Sequence, residues 1–189
     1  INAAVVDLWS RVLLAVPGSR LMLKFKNHWE CPTLRDKLLG RIEANGVSRA
    51  RVDLISAMDT FHDHLACYHK ADIGLDLFPF AGATTTFQAL WMGVPVVSRM
   101  SGRFSSRAGG SLTTHAGLGD LAVDTDDAFV ERATALATDL PRLAELRATL
   151  RQRISDSPLC NGPAYARNIE DAYRAMWDVH AGGGKDRTP

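Results

Sequence analysis

Three consecutive threonines, Thr84, Thr85 and Thr86, begin a predicted helix directly after a short loop that contains Gly82. Glycine permits tight backbone geometry, and the unpaired N–H groups at a helix start favour an anion. The three hydroxyl groups add side-chain hydrogen-bond donors. The segment therefore predicts a phosphate-binding loop, but it fits an ordinary threonine-capped helix start equally well. The usual glycine-rich dinucleotide and Walker patterns are absent.

Two other segments carry side chains that suit an anionic or aromatic ligand. The first holds His62, His64 and His69, whose spacings place no two imidazoles on one helical face and argue against a metal pair. One histidine is expected to face a ligand-binding cleft, where it could stack on a base or bind a phosphate. His62 and His69 suit a solvated helix face. The second segment holds Arg103 and Arg107, which fit either an anion site or an ordinary surface.

An alternation of strands and helices decides where these segments meet. Short apolar runs predict five strands, at residues 21–25, 52–55, 71–77, 94–98 and 121–123. This α/β pattern indicates a Rossmann-like parallel sheet flanked by helices, with ligands bound where the strands end. Asp76, at the end of the third strand, is interpreted as a residue that shapes the following loop. Helical spacing predicts core positions for four aromatic residues, Trp91, Tyr165, Tyr173 and Trp177.

The order of the predicted elements has one irregularity at its start. A doubly wound domain normally opens on a strand, whereas the first residues here have an amphipathic helical pattern. We therefore expect a further strand and its loop before Ile1. Residues 1–180 are expected to form one domain, and the glycine-rich residues 181–189 a disordered tail.

Length and composition exclude several classes of protein. The 189 residues suit one domain, and a net charge of +1 lacks the positive patch of a nucleic-acid-binding protein. Apolar stretches fall short of the roughly 18 residues of a membrane span. Three scattered cysteines, Cys31, Cys67 and Cys160, have no metal-ligand or disulfide spacing, which predicts a reducing, cytoplasmic setting. No serine- or cysteine-based catalytic set appears at a recognisable spacing.

One long run, ADIGLDLFPFAGATTTFQALWMGVPVVSRMSGRFSSRAGGSLTTHAGL (71–118), is highly specific. It resembles the C-terminal catalytic region of the O-GlcNAc transferase family, including its SPINDLY-like members. Those proteins carry a similar block ending in a threonine pair, followed by A-L-W-x-G-V-P-V. The segments SPLCN and YARNIEDAYRAMW near the end are also similar, so the resemblance covers nearly the whole chain.

The resemblance implies the C-terminal, UDP-sugar-binding half of a GT-B glycosyltransferase. The implied reaction is an inverting transfer of GlcNAc or a related hexose from UDP to Ser/Thr hydroxyls of proteins, with no metal or other cofactor. Implied partners are the acceptor protein, an N-terminal Rossmann half and a preceding tetratricopeptide array, so this chain alone is expected to be inactive. Open alternatives are a different sugar donor, an asparagine acceptor, a small-molecule acceptor, or a nucleotide-binding scaffold that has lost catalysis.

The same resemblance implies a set of donor-binding residues. Thr84 and Thr85 match the threonine pair that binds the diphosphate, and His64 matches the histidine that packs on the uracil. The other matched positions lie at the base edge, the ribose or the donor cleft: Asp59, Phe61, Phe80, Gly82, Ala83 and Gln88. Ala83 and Gln88 depart from the family, which has His or Thr at the first position and an acidic residue at the second.

The family's diphosphate-binding lysine corresponds to a position just before Ile1. Lys24 and Lys26 are not expected to replace it, because they lie in the first predicted strand and just beyond it.

Overall fold

The computed structural model describes residues 1–56 and 58–182. Within these ranges the strands are β1 (Leu21–Lys24), β2 (Val52–Ile55), β3 (Gly74–Leu75), β4 (Val96–Arg99) and β5 (Ala122–Val123). The α-helices are α1 (Ala3–Ala15), α2 (Pro32–Ala44), α3 (Phe61–Ala66), α4 (Thr84–Trp91), α5 (Ala108–His115), α6 (Asp126–Thr138), α7 (Leu140–Asp156) and α8 (Gly162–Gly182). The predicted alternation of strands and helices is therefore present, and every strand pair is parallel.

The strands form two parallel sheets instead of one. β1 pairs with β2 along the whole length of both strands, whereas β4 lies between β3 and β5 in a three-stranded sheet. The third strand is shorter than the predicted 71–77, because ladder pairing with β4 is limited to Gly74 and Leu75. β1 and β3 thus each have a paired neighbour on one edge only among the described residues.

A cavity of about 2080 Å³ is bordered by both sheets. Its walls include all of β1 and β3, and helix α1 contributes Val6 and Trp9. Trp9 is buried, and its indole Nε1 has no hydrogen-bond partner within the described ranges. The two sheets are therefore separated by a space lined largely by apolar side chains.

One hydrophobic core holds the helices on the sheets. α1 packs against α2 and α6, and α7 packs against α4 and α6. Fully buried side chains from these helices and from β4 fill the centre of this core, among them Val5, Leu90, Val97, Phe129 and Leu150. In the described part of the chain, no helix combines the length and apolar character needed to cross a membrane.

Helix α8 departs from the prediction for its aromatic residues. Tyr165, Tyr173 and Trp177 are 66%, 66% and 67% exposed, so their prediction as core residues is wrong. Helical spacing identifies an apolar face, but it does not specify what covers that face. Trp91, by contrast, is half-buried and packs against the core. α8 extends to Gly182, and the rest of the predicted tail lies outside the described residues.

Candidate functional site

The loops that follow β2, β3 and β4 meet at the carboxyl edge of the strands, because parallel strands end on the same side. The loop after β3 is joined to the loop after β4 by the Ala81 N–H, which donates to the Ser105 carbonyl at 2.9 Å. It is joined to the start of α1 by the Asn2 side-chain amide, which donates to the Phe78 carbonyl at 3.1 Å. Residues distant in sequence are thereby gathered around the segment that was predicted to bind phosphate.

The buried carboxylate of Asp76 is the anchor of the loop after β3. Its Oδ1 accepts from the backbone N–H groups of Leu77 and Gly82, each at 2.8 Å, and its Oδ2 accepts from the Ser98 hydroxyl at 2.7 Å. Burial raises the pKa of the Asp76 carboxyl, while the hydrogen bonds from Gly82, Ser98 and Leu77 act in the opposite direction. The predicted loop-shaping role of Asp76 agrees with these contacts.

The first turn of α4 presents N–H groups at this edge. Ala83 occupies the cap position of α4 and has no side-chain oxygen to accept from the first turn, whereas the side chain of Asn2 caps α1. The interpretation of the threonines as a helix cap is therefore wrong. Thr84 and Thr85 are exposed, while Thr86 is buried and does not offer the third hydroxyl donor predicted from the sequence. An uncapped helix start with two exposed hydroxyls suits an anion.

A connected row of side chains lies beside this helix start. His64, on α3, is 2.9 Å from Gln88 Oε1 through its Nε2, and the Lys24 ammonium contacts the other ring nitrogen, Nδ1. An ammonium group only donates, so Nδ1 accepts and Nε2–H donates to Gln88 Oε1. The side-chain NH₂ of Gln88 is therefore left to face other partners.

Lys24 was not predicted as a site residue, because it was assigned only to its strand. In the structure Lys24 is the last residue of β1 and lies at the carboxyl edge. The sequence signal that could have identified it is this position at a strand end, where parallel sheets bind ligands.

Aromatic side chains surround His64, and one of them reaches the start of α4. The Phe61 ring stacks on the His64 ring with 5.9 Å between centroids, and the Tyr68 hydroxyl donates to the Thr85 carbonyl at 3.3 Å. His64 and Gln88, which were both assigned to the donor site, are thus in direct contact, and Tyr68, whose ring packs edge-on against that of His64, connects them to Thr85.

The other predicted residues differ in how closely they join this group. Gly82 is held by Asp76, and Ala83 precedes the threonine pair. Asp59 and Phe80 are exposed on the loops after β2 and β3, with Phe80 76% exposed.

The remaining histidines and arginines that the sequence analysis singled out are on the surface. His62 and His69 are exposed, in agreement with a solvated face. Arg103 and Arg107 follow β4 and are also exposed, with Arg107 at the residue before α5. Among the described residues, no group of three or more His, Cys, Asp or Glu side chains is arranged to hold a metal ion.

Known proteins are similar to this chain over nearly its whole length. The family model described as glycosyl transferase family 41 matches residues 1–169. The chain is 42% identical over 183 residues to a protein of Hordeum vulgare named probable UDP-N-acetylglucosamine–peptide N-acetylglucosaminyltransferase SPINDLY, covering 97% of this chain and 19% of that protein. It is 29% identical over 181 residues to the Arabidopsis thaliana protein of the same type named SEC, covering 95% and 18%.

A solved structure also matches closely. A mutant of the Thermobaculum terrenum O-GlcNAc transferase superposes with a TM-score of 0.86 at 38% identity, over 94% of this chain and 34% of that one. The predicted fold class, an α/β domain of a GT-B glycosyltransferase, is confirmed by this match. The chain spans about a fifth of the length of the curated relatives. On the family match over most of its length and on these relatives, the chain belongs to glycosyl transferase family 41.

Proposed function

We propose that the carboxyl edge around α4 binds the nucleoside diphosphate of a UDP-sugar, within a protein that transfers the sugar to Ser/Thr hydroxyls of other proteins. The observation that carries the proposal is the uncapped first turn of α4, with exposed Thr84 and Thr85, directly beside the His64–Gln88 pair. The names of the relatives support UDP-GlcNAc as the donor and a peptide as the acceptor.

The proposed chemistry requires stabilisation of a leaving diphosphate. In an inverting transfer, the acceptor oxygen attacks the anomeric carbon while the bond from that carbon to the diphosphate oxygen breaks. The acceptor proton passes to solvent water. Negative charge grows on the diphosphate, and preorganised donors aimed at it lower the barrier. The first-turn N–H groups of α4 and the hydroxyls of Thr84 and Thr85 are donors of this kind. His64 and Gln88 would hold the base and ribose.

Transfer assays with the full-length protein test this proposal. Acceptor proteins are incubated with UDP-GlcNAc, UDP-glucose and GDP-fucose in parallel, and the mass added to each acceptor is measured. We expect addition of one N-acetylhexosamine per site from UDP-GlcNAc. Addition from another donor alone would correct the sugar, while tight UDP binding with no turnover of any donor would favour the scaffold alternative. Ala83 and Gln88, which depart from the family pattern, are the observation on which that alternative rests.

The proposal also concerns the rest of the enzyme. We infer that this domain works opposite an N-terminal Rossmann half, with a tetratricopeptide array for the acceptor, in a cytoplasmic protein. The much greater length of the relatives supports additional domains.

We further propose that a strand from outside residues 1–189 fills the cavity between β1 and β3. The resulting order, β2-β1-added strand-β3-β4-β5, is the common doubly wound order, in which the first strand is central.

Backbone amides that face the cavity test the added strand. The Phe25 N–H donates to Ile55 and the Gly74 N–H to Pro95. Successive amides of a strand point to opposite edges, so the Met22 and Leu75 amides face the cavity. In the full-length protein we expect these two amides to exchange hydrogen within about tenfold of the rate of the paired Gly74 amide. Fast exchange at both positions, or protection that grows with protein concentration, would contradict an added strand from the same polypeptide.

A further inference from the structure

We propose that Asp76 is a positioning residue for the donor, because it fixes the loop that presents the first turn of α4 to the diphosphate. This inference rests on the proposed function and assigns a role to a side chain that does not itself face the ligand. Asp76 is 6% exposed and directly follows β3.

Asp76, Gly82 and the start of α4 pack together. The Asp76 carboxylate accepts the Gly82 N–H and draws this residue against the helix start. A Cβ atom added at Gly82 would lie 2.5 Å from Thr86 Oγ1 and 2.9 Å from Thr85 Oγ1, so only glycine allows this approach. The carboxylate, the glycine and the first turn of α4 therefore form one packed unit.

β4 and α5 pack against the other side of the Asp76 carboxylate. A Cβ atom added at Gly109, on α5, would collide with Asp76 Oδ2 and would lie 2.8 Å from Ser98 Oγ. One turn later on α5, the Thr113 hydroxyl donates to the Val96 carbonyl at 3.3 Å and ties the helix to β4. The position of the Asp76 carboxylate is thus set by β4 and α5, on the side away from the proposed ligand.

This geometry predicts different results for two substitutions of Asp76. In Asp76→Asn, the side-chain oxygen can still accept from Leu77 and Gly82, and the NH₂ group can donate to the Ser98 hydroxyl. In Asp76→Ala, all three bonds are lost and the Gly82 N–H has no acceptor. We expect Asp76→Ala to weaken UDP binding by about 10- to 100-fold, and Asp76→Asn to stay within about threefold of the natural protein.

Uridine provides the readout that separates positioning from a merely structural role. It carries the base and ribose but no phosphate, so it does not use the loop and helix start that Asp76 holds. We expect its affinity to change by less than about threefold in either variant. An equal loss of UDP and uridine affinity would mean that Asp76 only maintains the fold, and it would overturn the inference.

Gly109→Ala tests the same idea from outside the site. The added methyl group displaces the Asp76 carboxylate, so a selective loss of UDP affinity similar to that of Asp76→Ala is expected. Gly110→Ala is the matched control on the same helix, because its methyl group meets the flexible Met100 side chain. The affinity of the double variant Asp76→Ala/Gly109→Ala for UDP should equal that of the single variant with the lower affinity, since both substitutions act through one carboxylate.

Calorimetric titrations of the full-length protein with UDP and with uridine measure all of these effects, with a thermal melt to verify folding. If the natural protein does not bind UDP, the proposed function fails. If it binds UDP and both Asp76→Ala and Gly109→Ala bind UDP as tightly, only the present inference fails. Should Asp76→Ala not fold, the comparison of Gly109→Ala with Gly110→Ala decides the outcome.

Discussion

Replacing Thr84 and Thr85 together with valine is expected to weaken UDP binding to the full-length protein by at least about 100-fold, because each hydrogen bond to a charged group contributes roughly 1.5–3 kcal/mol. Valine keeps the branched shape of threonine and has a methyl group in place of the hydroxyl. Both side chains are exposed at the carboxyl edge, so little loss of folding stability is expected. The dissociation constant for UDP, measured by calorimetry, is the direct test.

The double variant Thr138→Val/Thr149→Val is the matched control for this experiment. Both hydroxyls donate to carbonyl oxygens of their own helices, α6 and α7. The control removes the same atoms at positions that the proposed site does not use, and it should bind UDP with unchanged affinity. An unchanged dissociation constant in the Thr84/Thr85 variant would remove the threonine pair from the site.

Substituting Arg147→Met is expected to lower the free energy of unfolding by about 3 kcal/mol. The Arg147 guanidinium, on α7, donates to the backbone carbonyls of Tyr68 at 3.3 Å and Met92 at 3.2 Å, and also to that of Ala71. Bonds from a charged donor contribute roughly 1.5–3 kcal/mol each, and the sum is reduced because the side chain is 33% exposed to water. Chemical unfolding of both proteins gives the difference.

Arg151→Met, one helical turn further on, is the control for Arg147. Its guanidinium also donates to a carbonyl, that of Trp91 at 3.0 Å, but the contact is exposed. We expect a loss below about 1 kcal/mol for this surface position. If both substitutions lowered the free energy of unfolding equally, the three carbonyl contacts of Arg147 would not be the interaction that holds α7 to the segments before β3 and after α4.

Local sequence patterns predicted most elements of the fold. β2 has its predicted bounds and α4 begins at the predicted Thr84, because hydrophobic periodicity is a local property of the sequence. The length of β3 was not predictable, since it depends on pairing with a neighbouring strand. The exposed aromatic face of α8 was mispredicted for a similar reason, because periodicity does not specify what packs on a face.

The candidate site was predicted in part. Thr84, Thr85, His64 and Gln88 were assigned through the resemblance of their segments to the family. The structure brings His64 and Gln88 into direct contact and connects Thr85 to them through Tyr68. Contacts between segments far apart in sequence were missed. Lys24 reaches His64 across forty positions, and no local pattern encodes such a pair.

The central claim is that the start of α4 binds the diphosphate of a nucleotide while α3 and Gln88 bind the nucleoside. Hydrogen exchange of the full-length protein, measured alone, with UDP and with uridine, tests it most directly. We predict that UDP slows exchange at residues 82–88 and at residues 61–68, and that uridine at matched occupancy slows exchange at 61–68 with little effect at 82–85. Protection by UDP that is confined to other segments, or identical protection by UDP and uridine at 82–85, would contradict the account.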